Sequence, residues 1–117
     1  MYNSTILDHF EKPRNVGEIS DATAIAEVTN PACGDILKLW VRIENGKVSE
    51  VKFKASGCVP SVACGSALTE MIKGASIADL AEVGPSKIEC AVNGLPSASR
   101  HASELANDVL KAILAKV

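Results

Sequence analysis

The chain has 117 residues, the size of one compact domain, and 47% of them are hydrophobic. Twelve Lys and Arg against 14 Asp and Glu give a formal net charge of −2, so there is no basic footprint for nucleic acid. The longest uncharged stretch, Ala55 to Thr69, is shorter than the roughly 18 apolar residues of a membrane span. The first 14 residues are too charged for a secretory signal. We expect a single cytoplasmic domain over residues 1–117, with neither nucleic acid nor a membrane as partner.

The first predicted elements are a helix and a strand. A short helix is expected over Ser4–Phe10, with Asn3 or Ser4 as its N-cap and its end before Pro13. A loop follows, and β-prone residues then run from Thr23 until Asn30-Pro31 breaks the strand.

A hairpin is the strongest local signal in the chain. Asn45-Gly46 separates two alternating apolar runs, over residues 36–43 and 48–55, and this dipeptide is typical of a two-residue β-turn. Three strands joined in this way predict an antiparallel meander.

Helical patterns fill the second half. A helix is predicted from Pro60 to a stop at Gly74, and a short helix from the capping box that Ser76 opens. One more turn is expected over 86–92, and a final helix runs to about Ala115. The predicted fold class is α+β, with a three-stranded antiparallel sheet packed against several helices.

Four cysteines are many for a small chain in a reducing compartment: Cys33, Cys58, Cys64 and Cys90. Intracellular thiols more often bind metal or react than pair in disulfides. Cys33 and Asp35 flank Gly34 in a turn, where a soft and a hard ligand can reach one ion. The alternative is that Asp35 only caps this turn and Cys33 is incidental.

The hairpin is expected to bring Cys58 to the same place, because Cys33 precedes the Asn45-Gly46 turn by about as far as Cys58 follows it. Cys58 also begins a helix, whose dipole is expected to lower the pKa of the thiol. Cys64 lies on an apolar helical stripe, so it is either a small buried hydrophobe or a further ligand. His101, near the start of the final helix, is either a ligand or a packing residue.

Several blocks occur in order along nearly the whole chain: Tyr2, residues 6–17 (ILDHFEKPRNVG), residues 30–35 (NPACGD), Gly57-Cys58, and residues 66–74 (SALTEMIKG). Together they resemble the IscU/NifU N-terminal family of iron–sulfur cluster assembly scaffolds. The resemblance implies an IscU/SufE-NifU-like fold. It also implies an iron–sulfur cluster, typically [2Fe-2S], or sometimes zinc, bound by three cysteines, an aspartate and a histidine. Cys33, Asp35 and Cys58 match three of these ligands.

The family's histidine and third cysteine fall on His101 and Ala102, so the histidine is kept and the cysteine is missing. Aligning that cysteine with Cys90 instead leaves too short an interval after Cys58, so Cys90 is expected to be a bystander. Cys64 is then the candidate replacement thiolate. The family's chaperone-binding Leu-Pro-Pro-Val-Lys is also degraded, which weakens the expectation of cluster release by an Hsp70 chaperone.

The resemblance therefore implies a scaffold or carrier, not an enzyme, that binds a labile cluster on Cys33, Asp35, Cys58 and His101, with Cys64 as the candidate replacement ligand. Its expected partners are a cysteine desulfurase and recipient apoproteins, and a homodimer is left open. Two alternatives remain. One is a zinc-binding IscU-like protein that accepts sulfur or acts as a partner in cluster assembly, and the other is a divergent relative that binds no metal.

Overall fold

A computed structural model describes residues 2–117, and the α+β fold predicted from the sequence is confirmed. No helix in the described part of the chain is long and apolar enough to cross a membrane. The elements in chain order are α1 (Ser4–Glu11), β1 (Ala24–Thr29), β2 (Ile36–Glu44), β3 (Lys47–Ser56), α2 (Val59–Ile72), α3 (Ile77–Ala81), α4 (Pro85–Ala91), a 3-10 turn (Ser97–Ser99) and α5 (His101–Leu114).

Of the two N-caps predicted for α1, the structure has Asn3, whose side chain accepts a hydrogen bond from the backbone N–H of Ile6 at 2.9 Å. One element differs from the sequence prediction. The segment expected to form one turn is a seven-residue helix, α4, because Pro85 occupies its first turn, where a missing N–H costs nothing.

The sheet has the order β1-β2-β3 and is antiparallel throughout. Asn45 and Gly46 form the predicted two-residue turn with φ of 54° and 75°, which glycine and asparagine tolerate better than other residues. The register pairs Ile36 with Ser56, so the start of β2 lies beside the end of β3. This pairing places the loop before β2 next to the loop after β3.

One face of the sheet carries the core. Leu37, Leu39 and Val41 alternate along β2 and are buried with Phe53 of β3, as expected for a sheet covered on one side. Helices α2 and α5 contact the sheet and each other, and α1 packs on α2. Helix α2 is therefore buried on several sides, which explains why ten of its residues are buried.

The N-terminal segment is fastened to α2 by buried hydroxyl groups. Ser66 accepts a hydrogen bond from the backbone N–H of Arg14 at 2.9 Å, and its Oγ lies 2.7 Å from His9 Nδ1. The side chain of Asn15 donates to Thr69 Oγ1 at 3.1 Å. Burial lowers the pKa of His9, so the neutral ring is the form suited to this contact. Residues 7–9 (Leu-Asp-His) and 13–15 (Pro-Arg-Asn) thus hold the segment before the sheet against α2.

We predict that Gly65→Ala destabilises the fold. A Cβ at Gly65 would lie 2.8 to 2.9 Å from ring atoms of Phe53 and a methyl group of Leu37, both fully buried. Overpacking of this kind costs about 1 to 3 kcal/mol. The matched control is Gly84→Ala, where nothing lies within 4 Å, and we expect a change below about 1 kcal/mol there. Urea unfolding measures both, and equal stabilities of the two variants would contradict the prediction.

Candidate metal centre

Four potential ligands meet at the end of the sheet where β2 begins and β3 ends. Cys33 and Asp35 lie in the turn before β2, Cys58 is the N-cap of α2, and His101 is the first residue of α5. One ligand atom each of Cys33, Asp35 and His101 lie within 4.8 Å of one another, and Cys58 Sγ is 3.8 Å from His101 Nε2. The convergence expected from the hairpin is therefore present.

These separations suit a metal ion. Thiolate and imidazole ligands about 2.0 to 2.3 Å from one tetrahedral ion are about 3.3 to 3.8 Å apart. The Cys58 and His101 atoms already have such a separation. The atoms of Cys33, Asp35 and His101, which lie within 4.8 Å of one another, need to close by about 1.5 Å at most. Two sulfurs, one nitrogen and one carboxylate oxygen form an acceptable donor set for zinc or iron. Cys33 is exposed, so the group is accessible from solvent.

The carboxylate of Asp35 is held against the start of α2. Asp35 Oδ2 accepts a hydrogen bond from the backbone N–H of Cys58 at 3.2 Å and one from the hydroxyl of Ser61 at 2.8 Å. A hydrogen bond from the Cys58 side chain, helped by those of Ser61 and the Cys58 backbone, lowers the pKa of Asp35 to about 2. The carboxylate is thus charged at neutral pH and oriented before any ligand binds.

Gly57 makes room for this carboxylate. A Cβ at Gly57 would lie 2.3 Å from the carboxyl carbon of Asp35, closer than any real Cβ contact. The φ of Gly57 is 149°, a backbone conformation that side-chain-bearing residues rarely adopt. Both observations require glycine directly before Cys58.

The expected low pKa of Cys58 was wrong. Burial, followed by the hydrogen bond with Asp35, raises the pKa of the Cys58 thiol above its usual value. Desolvation and a neighbouring carboxylate both disfavour a thiolate, and together they exceed the effect expected from the helix dipole. A metal ion that binds here must therefore displace a proton from Cys58.

The structure does not bring Cys64 into the group. Cys64 has no exposed surface and belongs to the hydrophobic core, with Leu68 and Ile72 of the same helical stripe. Burial raises the pKa of its thiol to about 12, so it is a protonated core residue at neutral pH. This geometry favours the packing alternative over the replacement thiolate.

Two other positions bear on the missing third cysteine. Ala102 is fully buried in the first turn of α5, directly after His101, and its methyl side chain cannot bind metal. Cys90 is exposed on α4 and lines a separate open cleft with Ser86, Asn93 and Arg100, among others. None of the four grouped residues, all within the described chain, lines that cleft.

Sequence reasoning missed Ser61, and it named Gly57 only as part of a family block without its contact with Asp35. Ser61 is 1% exposed and follows Cys58 by three residues, a spacing that on a helix places both side chains on one face. That spacing is a usable signal for Ser61. The close approach of Gly57 to Asp35 joins residues 22 positions apart and has no local signature.

The fold and the grouped side chains define a class: an α+β domain with thiol, carboxylate and imidazole groups at one end of an antiparallel sheet. The family model described as the NifU-like N terminal domain matches residues 1–117. The chain therefore belongs to this family.

Relatives agree with that assignment. The iron-sulfur cluster assembly scaffold protein IscU 1 of Archaeoglobus fulgidus is 37% identical over 111 residues, which are 95% of this chain and 72% of that protein. The scaffold protein IscU of Haemophilus influenzae is 36% identical, over 97% of this chain and 93% of its own. A solved NifU-like N-terminal structure from Brucella abortus has a TM-score of 0.79 at 20% identity, over 97% of this chain and 92% of that one.

We predict a clear order of thiol reactivity in the metal-free protein. Alkylation at neutral pH should modify exposed Cys33 and Cys90 first and half-buried Cys58 more slowly. Cys64 should react at least about 100-fold more slowly than Cys90, because it becomes accessible only when the core opens. Peptide mass spectrometry over a time course measures the rates. Urea should abolish the difference, whereas alkylation of Cys64 in the native protein at the rate of Cys58 would contradict its core position.

We further predict that Gly57→Ala displaces the carboxylate of Asp35. The added methyl group overlaps the carboxyl group and also carries the backbone strain of a positive φ. The control Gly74→Ala carries comparable strain at φ +83°, but nothing lies within 4 Å of its Cβ. Urea unfolding should show that Gly57→Ala lowers the free energy of unfolding by about 1 kcal/mol or more beyond the loss in Gly74→Ala. The NMR shifts of Asp35 should also change more in Gly57→Ala than in the control. Equal destabilisation with unchanged Asp35 shifts would contradict the steric conflict.

Proposed function

We propose that this chain is a scaffold on which an iron–sulfur cluster is assembled and from which it is passed to other proteins. The observation that carries the proposal is the convergence of Cys33, Asp35, Cys58 and His101 at one end of the sheet. Family membership supports it, because relatives along nearly the whole chain are named iron–sulfur cluster assembly scaffold proteins.

We propose a [2Fe-2S] cluster as the cargo. Four ligands supply two to each iron, which is the number such a cluster needs. The ligand atoms of Cys33, Asp35 and His101 lie within 4.8 Å of one another, so a two-iron cluster between them requires a ligand to move. Cys33 is the candidate for that movement, because it is exposed and precedes Gly34, whose φ of 78° marks a turn.

The donor set suits a temporary cargo. Carboxylate oxygen and imidazole nitrogen bind iron less strongly than thiolate does, so two thiolates hold a cluster less tightly than four. Neither Ala102 nor the buried Cys64 adds a third thiolate at this place. The proposed scaffold is therefore one from which a cluster leaves readily.

The proposed partners follow from this cargo. Sulfur has to be delivered by a sulfur donor, for which we propose a cysteine desulfurase, and the finished cluster has to be taken up by recipient apoproteins. Exposed Cys33 gives both kinds of partner access to the site. All four cysteines are free thiols, which is compatible with the reducing cytoplasm that we propose as its location.

The test is anaerobic reconstitution with ferrous iron and sulfide, followed by visible and Mössbauer spectra and by metal analysis. We expect the wild type to acquire a red-brown cluster. We expect a loss of cluster affinity of at least about tenfold in each of Cys33→Ala, Cys58→Ala and His101→Ala. Removing a residue that only hydrogen-bonds to a ligand already lowers metal affinity about 10- to 100-fold. The matched controls Cys90→Ala and Cys64→Ala should retain the cluster.

Other outcomes contradict the proposal. Stoichiometric zinc with no iron uptake would favour the zinc alternative, for which the same donor set is acceptable. The absence of both metals would indicate a family member that keeps the fold without the cargo. Selective loss with Cys90→Ala would show that the ligand set is wrong.

A further inference from the structure

Ser61 is a buried polar residue that contacts two of the four proposed ligands. It lies in the first turn of α2 and is 1% exposed. Its hydroxyl donates to Asp35 Oδ2 at 2.8 Å, and its oxygen is 3.3 Å from Cys58 Sγ. A buried hydroxyl needs hydrogen-bond partners, and both of these are proposed ligands.

The hydroxyl carries one proton, and this limits what it can do. Donation to Asp35 uses that proton, so the 3.3 Å contact of Ser61 Oγ with Cys58 Sγ receives no hydrogen bond from Ser61. The Cys58 backbone N–H is the second donor to the same carboxylate oxygen. Two donors on Oδ2 restrict the orientation of the carboxylate before a metal ion binds.

We propose that Ser61 is a positioning residue of the metal centre, which orients the carboxylate of Asp35 without binding metal itself. This inference rests on the proposed function. Ligands whose orientation is set by outer hydrogen bonds bind metal more tightly, because less freedom is lost on binding. Removing the Ser61 hydroxyl removes the 2.8 Å hydrogen bond to Asp35 Oδ2 and leaves the longer one from the Cys58 backbone at 3.2 Å.

The test is an anaerobic double-mutant cycle with Co²⁺ as the probe, on the full chain. Wild type, Ser61→Ala, Asp35→Asn and the double variant are titrated, and the thiolate-to-cobalt charge-transfer band and the d–d bands are recorded. We expect Ser61→Ala to weaken Co²⁺ binding about tenfold when Asp35 is present, and less than about threefold in the Asp35→Asn background. The d–d bands should shift with Ser61→Ala only when Asp35 is present, while the charge-transfer band persists because both thiolates remain.

Ser66→Ala is the matched control. Ser66 is also a fully buried serine of α2, but its hydroxyl contacts His9 and Arg14 instead of the proposed ligands. Its loss should lower the urea midpoint and leave Co²⁺ affinity unchanged. Ser61→Thr, which keeps the hydroxyl, should bind Co²⁺ more tightly than Ser61→Ala, and this comparison separates positioning from support of the helix.

Each contrary outcome has a distinct meaning. Equal loss of affinity from Ser61→Ala in both backgrounds would overturn the positioning role and leave Ser61 as a structural residue of α2. Unchanged affinity in Ser61→Ala would overturn it as well, with the proposed function intact. Failure of the wild type to bind Co²⁺ would contradict both the positioning role and the metal centre on which it rests.

Discussion

The two-residue turn at Asn45-Gly46 is the constraint on which the candidate site depends. It sets the pairing of β2 with β3 next to the turn, and a one-residue register shift between Arg42 and Ile43 then places Ile36 beside Ser56. A slip of one residue would turn the side chains of a strand to the opposite face, so the buried face of β2 and β3 holds the register in place. The turns that carry Cys33 and Cys58 therefore meet at the same end of the sheet, and α5 adds His101 from the helical layer.

Within that frame the carboxylate of Asp35 is the most strongly constrained ligand. The start of α2 donates to it, Ser61 donates to it, and Gly57 leaves the space that it occupies. Charged hydrogen bonds of this kind orient a side chain before it binds anything, because the donors are fixed by the helix. Cys33 is the opposite case, an exposed thiol in a turn. The proposed site thus combines a carboxylate in a fixed orientation with a thiol that is exposed to solvent.

Two thiols, those of Cys33 and Cys58, lie at the candidate site, and the residue after His101 is Ala102. Cys64 lies in the core and Cys90 lies in a separate cleft, so the structure groups neither of them with these two thiols. A ligand set with equal numbers of thiolates and harder donors favours exchange over permanent storage. This property agrees with a scaffold, whose cargo has to leave.

The sequence by itself determined the elements and much of the candidate ligand set. Local signals sufficed for the hairpin and the helix starts, and the hairpin with the family blocks pointed to Cys33, Asp35, Cys58 and His101. Only the tertiary structure decided what surrounds each thiol. The burial of Cys64, the raised pKa of Cys58 and the contact of Ser61 with Asp35 all arise where distant segments pack together. Helical periodicity shows that a residue faces inward, but desolvation and hydrogen bonding depend on which partners the packing of α2 against the sheet supplies.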